Sequence, residues 1–225
     1  MANHLDLEEQ EQLDQLKHFW NTWGTLISTL LILVSGSLVA WNGYQYWKNR
    51  QGGQAAVLFD AVDVAAGAGD QARMDQAFSD LKVNYAGTVQ ASHAGLAVAK
   101  TLADAGNMDG AKETLAWVAE KSADEGLQAL ASLRLASVHI DQKNYDEALK
   151  HLAGTYPPPF AAVFADRKGD VFLLQGKHSE AVVEYTKAYK ALDADVEFRR
   201  LVEIKLGALG VTPQGVVVAA TEGAK

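Results

Sequence analysis

The chain has 225 residues, a formal net charge of −8 and no cysteine. That length accommodates one sizeable domain beside a short extra element, and the acidic balance argues against a nucleic-acid partner. The missing thiols exclude disulfides, thiolate metal sites and a cysteine nucleophile, while abundant alanine, four prolines and few β-branched runs point to helices.

Residues 1–17, MANHLDLEEQEQLDQLK, set Asp6, Glu8, Glu9, Glu11 and Asp14 against Lys17 and form a short acidic arm. Leu5, Leu13 and Leu16 give it a weak amphipathic face. An isolated segment of this length does not hold a helix, so the arm is expected to be mobile, or helical only when bound.

Residues 18–47 carry no Asp, Glu, Lys or Arg, and as a helix these 30 residues would measure about 45 Å. That is the thickness of a bilayer with its headgroups. Trp20 and Trp23 flank one end of the apolar heart, Gly24 to Trp41, and Trp41, Tyr44, Tyr46 and Trp47 flank the other, where amphipathic rings settle at membrane interfaces. A cleaved signal peptide would want a basic start and a shorter apolar region. The stretch reads as a retained transmembrane anchor, followed by a linker at 48–53. Lys17 on one side against Lys48 and Arg50 on the other is too small a difference to orient it; the count leans towards a cytoplasmic domain.

From residue 54 the periodicity becomes that of soluble amphipathic helices, and a repeat emerges. ARMDQA, GNMDGA, KNYDEA and GKHSEA close on Ala77, Ala111, Ala148 and Ala181, spaced by 34, 37 and 33 residues. One helical turn later stand Leu81, Leu115, Leu152 and Tyr185 on the same face. A small residue at this period lets the two helices of a hairpin approach closely, and a Met, aromatic or His side chain three positions earlier is expected to plug the gap between hairpins. This is the tetratricopeptide pattern. Leu135-Ala136 and Gly169 supply the matching small contacts on the first helices of the third and fourth hairpins.

Tyr156-Pro157-Pro158-Pro159 must stop a helix, and falls where the third repeat hands over to the fourth. Residues 195–209 then read as a capping helix with Val196, Leu201, Ile204 and Leu209 inward and Glu197, Arg199, Arg200 and Lys205 outward. Residues 211–225 read as a flexible tail. The fold class is therefore all-α: one N-terminal transmembrane helix, then a tetratricopeptide-like helical-hairpin solenoid over 54–210.

No catalytic motif stands out. His139 and His178 fall at packing positions of the repeat, and the carboxylates around Asp104–Asp109 and Asp141–Glu147 belong to turns and helix starts. The reading is a non-enzyme with no cofactor and no metal.

The acidic arm before a single span, the exit AWNGYQYW, and the segments ASHAGLAVAK, SLRLASVHIDQKNYDEALKHL and AAVFADRKGDVFLLQGKHSEAVVEY resemble the YfgM-type family, the ancillary subunits of the SecYEG translocon of Gram-negative bacteria. The resemblance implies an inner-membrane protein with a cytoplasmic N-terminus and periplasmic repeats. Beside the translocon it would help pass newly translocated client proteins to periplasmic chaperones.

Binding is expected on the face formed by the first helix of each hairpin. The repeat register puts His93, Leu96, Lys100 and Ala103, then Leu130, Leu133, Ser137 and Ile140, then Val163, Asp166, Asp170 and Leu173 on that face, whose mixed apolar and acidic character suits weak capture of unfolded segments. Two other readings stand beside it. The span itself could carry the translocon contact, with the repeats as a spacer. Alternatively the chain could be a cytoplasm-facing scaffold recruiting peptide tails, although such grooves usually present a basic clamp and only Lys100 faces this one.

Overall fold

The computed structural model describes residues 7–212, with side chains from residue 11; residues 213–225 of the expected tail and residues 1–6 of the arm lie outside them. Among the described residues every regular element is helical. In order they are α1 (Leu7–Ala68), α2 (Gln71–Asn84), α3 (Val89–Asp104), α4 (Met108–Lys121), α5 (Glu125–Asp141), α6 (Tyr145–Leu152), a 3-10 turn (Pro158–Phe160), α7 (Ala161–Leu174), α8 (His178–Ala191) and α9 (Glu197–Ala208). The chain divides into two compact units, residues 1–51 and 52–225.

In the first unit the apolar side chains of the span have no protein around them: Leu30, Ile32 and Val39 are 60, 71 and 73% exposed. A helix from a soluble core would bury such residues, whereas a bilayer covers them with lipid. Several of the span's polar side chains turn back on its own backbone. Thr29 Oγ1 donates to the Thr25 carbonyl at 2.7 Å, Ser37 Oγ to Leu33 at 2.8 Å and Asn42 Nδ2 to Leu38 at 2.9 Å, so their donors are satisfied without water.

Two expectations change here. The acidic arm is helical from Leu7. It extends a helix that the span has already nucleated, so it escapes the cost an isolated segment would meet. Residues 48–53, expected as a linker, are also helical within α1. Gly52 and Gly53 weaken the helix by about 1 kcal/mol each, but no proline removes a donor there.

The second unit is a stack of hairpins. Each second helix packs on the next first helix, α2 on α3, α4 on α5, α6 on α7 and α8 on α9, and the first helices α3, α5 and α7 touch in succession. Every first helix ends in the same way. Gly69, Gly106, Lys143, Gly176 and Gly210 have φ between 61° and 82°, and the N–H of the following residue donates back five positions, to Ala65, Leu102, His139, Phe172 and Leu206, at 2.8–3.0 Å. This is the Schellman closure, which satisfies orphan carbonyls and reverses the chain. Asp70 and Asn107 then cap α2 and α4 through their side chains, at 3.1 and 3.0 Å; Asp109, Asp146 and Glu147 lie one step inside, in first turns of second helices.

Counting from that shared turn fixes the register. Five residues after it stand Met74, Ala111, Ala148 and Ala181, and nine after it Phe78, Leu115, Leu152 and Tyr185, all buried. The alanine spacing holds for the second to fourth hairpins and needs a correction in the first. Met74, three residues before Ala77, takes the equivalent place, so the spacings are 37, 37 and 33. Seven residues before the turn stand Val62, Ala99, Ala136 and Gly169, also buried, opposite the second helix. The gap-filling role holds for Met74, which is buried in the first hairpin's core, and for Tyr145, which packs on the third hairpin's core. Met108 and His178 start second helices whose first turn faces solvent.

The proline run behaves as read. Tyr156, four residues beyond the end of α6, stacks on Phe164 with ring centroids 4.0 Å apart, and Pro158 and Pro159 enter the 3-10 turn before α7. The capping helix is rotated from the expected face. Val202 and Leu206 are buried with Phe198 and Leu209 beside them, while Leu201 and Ile204 are 48 and 62% exposed. Lys205 points inward.

Candidate partner-binding face

A hairpin stack offers its ligands whichever first-helix positions are not consumed by packing. The twelve positions read from the sequence fall thirteen, ten, six and three residues before the shared turn on α3, α5 and α7, so one row repeats along three helices. The same places on α9 are Glu197, Arg200, Ile204 and Gly207.

The structure divides these positions by place. In the ten-before place, Leu96, Leu133 and Asp166 are 5, 9 and 5% exposed, so their side chains pack between neighbouring helices and offer a ligand little surface. Leu130, Ser137, Ile140, Val163, Asp170 and Ala103 are half-buried, and His93, Lys100 and Leu173 are exposed. The usable surface is the outer edge of the row read from the sequence. It is shallow because the ten-before side chains that would have formed its floor are inside the core.

Its chemistry also differs from the mixed apolar and acidic character expected. Lys205 of α9 donates to both carboxylate oxygens of Asp166 at 2.8 Å and to Asp170 at 2.7 Å. Arg167 lies 3.5 Å from Asp170, and the Tyr185 hydroxyl donates to it at 2.8 Å. Burial pushes the Asp166 carboxyl above the usual carboxylate range, against the hydrogen bond from Lys205. Burial and then Asp170 raise the Tyr185 hydroxyl. The two carboxylates are thus satisfied within the chain. On α3, Lys100 pairs with Asp104 at 2.6 Å in full solvent, a contact worth little.

Two features escaped the sequence. Arg134 reaches from α5 to the Leu96 carbonyl on α3 at 3.4 Å, tying two first helices together along the row. Ile204 extends the row with apolar surface, with exposed Leu201 on the same helix, and the glycine at Gly210 was the signal that could have placed them. His139 and His151 stack with ring centroids 5.3 Å apart, on the hairpin of α5 and α6. Burial holds both rings below the ordinary histidine pKa, aided at His139 by Lys112 and at His151 by His139 itself.

The assembled features are an exposed apolar helix long enough to cross a membrane, repeated hairpins and a shallow row of mixed side chains. They match known proteins along nearly the whole chain. A family model described as a tetratricopeptide repeat-like domain covers residues 17–211. A Neisseria gonorrhoeae protein named Ancillary SecYEG translocon subunit is 37% identical over 213 residues, spanning 93% of this chain and 100% of that protein. A protein of the same name from Escherichia coli is 26% identical over 90% of this chain and 97% of its own length. One from Haemophilus influenzae is 26% identical over 82% and 90%. The chain belongs to the tetratricopeptide repeat-like family of ancillary SecYEG translocon subunits.

Proposed function

We propose that this chain is an inner-membrane ancillary component of the SecYEG translocon. Its N-terminus would be cytoplasmic and its repeats periplasmic, and it would help pass newly translocated client proteins to periplasmic chaperones. The observation that carries the reading is the match over the full length of a relative bearing the translocon-subunit name, span and repeats together. An anchor and a hairpin stack in one polypeptide keep a binding face close to where chains emerge from the membrane.

The face supports transient contact. His93, Lys100 and Leu173 are open, and Leu130, Ile140 and Val163 are half-open beside them, so apolar and polar groups alternate without a deep pocket. Such a surface holds extended segments weakly and releases them, as a handoff requires.

A phosphatase that is active only in the periplasm, fused after Lys225, tests the orientation. Activity is expected, and its absence alongside a well-expressed fusion would favour the cytoplasm-facing scaffold instead. Photo-crosslinkers at His93 and Leu173 are expected to capture translocating chains or periplasmic chaperones, and crosslinkers at Leu31 the translocon. Capture of the translocon from Leu31 with none from the repeats would leave the span as the working part.

A further inference from the structure

The first hairpin of the second unit has an outer face on which none of the described residues is stacked. In the next two hairpins the corresponding positions of the first helix are consumed: Val98 and Leu135, eight residues before their turns, are buried, whereas Ala61 in the same place on α1 is exposed. Among the described residues outside 18–47, the three most exposed large apolar side chains are Val83, Val57 and Val64, at 77, 70 and 68%. All three belong to this hairpin, and Val57, Ala61 and Val64 follow the 4-then-3 spacing of a helix-packing seam. Beside them an open cavity of about 420 Å³ lies between α1 and α2, with Asp60 and Asp80 on its walls together with Arg73. Among the described residues none of these three charges belongs to an ion pair.

We propose that this face binds a second copy of the same chain. A two-fold interface must be self-complementary, since each surface meets itself. This one carries both signs around an apolar centre, so a two-fold operation would bring Arg73 of each copy to Asp60 and Asp80 of the other, with Ala61 and Val64 near the axis. Size sets the strength. A hairpin face about 20 Å long and two helices wide covers roughly half of the 800 Å² per partner that stable complexes bury. The contact is weak between free molecules. Two copies confined to one membrane by their spans meet at a far higher effective concentration, which makes the association significant there.

The chain has no cysteine, so a single introduced one reports its contacts without background. In native membranes, full-length Val64→Cys is expected to form a disulfide-linked species of twice the chain mass under mild oxidation. Val183→Cys, half exposed at the other end of the stack, serves as the reference. Adding Arg73→Asp to the Val64→Cys chain, or adding Asp60→Arg with Asp80→Arg, should each lower self-linking about tenfold through like-charge contacts. Co-expressing the two charge variants should restore linking between them, because each then meets its opposite. Linking at Val64 no greater than at Val183 overturns the proposal. So does linking to a different protein, or no recovery in the mixed pair.

Discussion

Lys205 on α9 lies 2.8 Å from both oxygens of Asp166 on α7, and Asp166 is 5% exposed. Desolvation outweighs attraction at the carboxylate, whose pKa is raised, so the contact serves to set the rotation of α9 more than to add stability. Removing one partner leaves the other charge stranded. Lys205→Met is therefore expected to destabilise the second unit by about 3 kcal/mol, while Asp166→Leu with Lys205→Met recovers to within about 1 kcal/mol of the parent. Chemical unfolding of the three variants checks this, and a double variant as unstable as the single one would make the pair a source of net stability instead.

The shared turn after each first helix gives a second prediction. Four of its five left-handed positions are glycine, and the fifth is Lys143 with φ of 61°. A side chain there costs about 1 kcal/mol that glycine avoids. Lys143→Gly should raise the melting temperature by about 2–4 °C, and Gly176→Ala should lower it by a similar amount. Thermal unfolding by circular dichroism reads both, and equal shifts of the same sign would contradict the turn geometry.

That turn also shows what was legible in the residues themselves. The buried columns of the second to fourth hairpins could be read because Ala111, Ala148 and Ala181 must be small and Leu115, Leu152 and Tyr185 must be large. The first hairpin was set three residues late because Ala77 repeats the alanine while the chain reversal at Gly69 makes Met74 its equivalent. The rotation of α9 was hidden for another reason. Its apolar residues are compatible with two faces, and a basic residue ordinarily faces water; here Lys205 faces carboxylates on α7, a partner 39 residues away that periodicity cannot supply. The face positions were placed in register, yet their depth was not, since burial of Leu96 and Leu133 depends on how closely neighbouring helices approach.

Close approach makes the third prediction. A methyl group at Gly169 would lie 2.5 Å from the Tyr185 ring, and one at Gly95 would lie 2.5 Å from Val118 Cγ2. Neither fits without movement. Gly169→Ala and Gly95→Ala should each cost about 1–3 kcal/mol through overpacking. The two sites differ in how they can be relieved. Val118→Ala removes the atom that obstructs Gly95, so the Gly95→Ala, Val118→Ala pair should be more stable than the sum of the single changes predicts. Tyr185 cannot be trimmed in this way without losing a fully buried side chain and its hydrogen bond to Asp170. Double-mutant cycles with positive coupling at both Gly95→Ala with Val118→Ala and Gly169→Ala with Tyr185→Leu would confirm which atoms set the spacing, the second pair still bearing the separate cost of the lost Tyr185 side chain.

The stacked rings of His139 and His151 lead to a dependence on pH. Both have folded-state pKa values below the ordinary one, so the folded chain binds fewer protons than the unfolded chain near neutrality. His139 Nδ1 is buried without an acceptor, Lys112 on α4 adds a like charge, and Glu147 on α6 only partly offsets it. Stability from this pair is complete above the unfolded value of about 6.5, declines as pH falls below it, and is lost once pH passes the depressed folded values. The melting temperature should accordingly drop between about pH 7 and pH 5. His139→Phe keeps a ring against His151 and removes one titration as well as the repulsion that adds to burial in holding His151 down. That variant should show a shallower decline over the same interval, measured as melting temperature against pH beside the parent chain. An identical pH profile in the two proteins would assign the decline to other groups and leave the stack as packing alone.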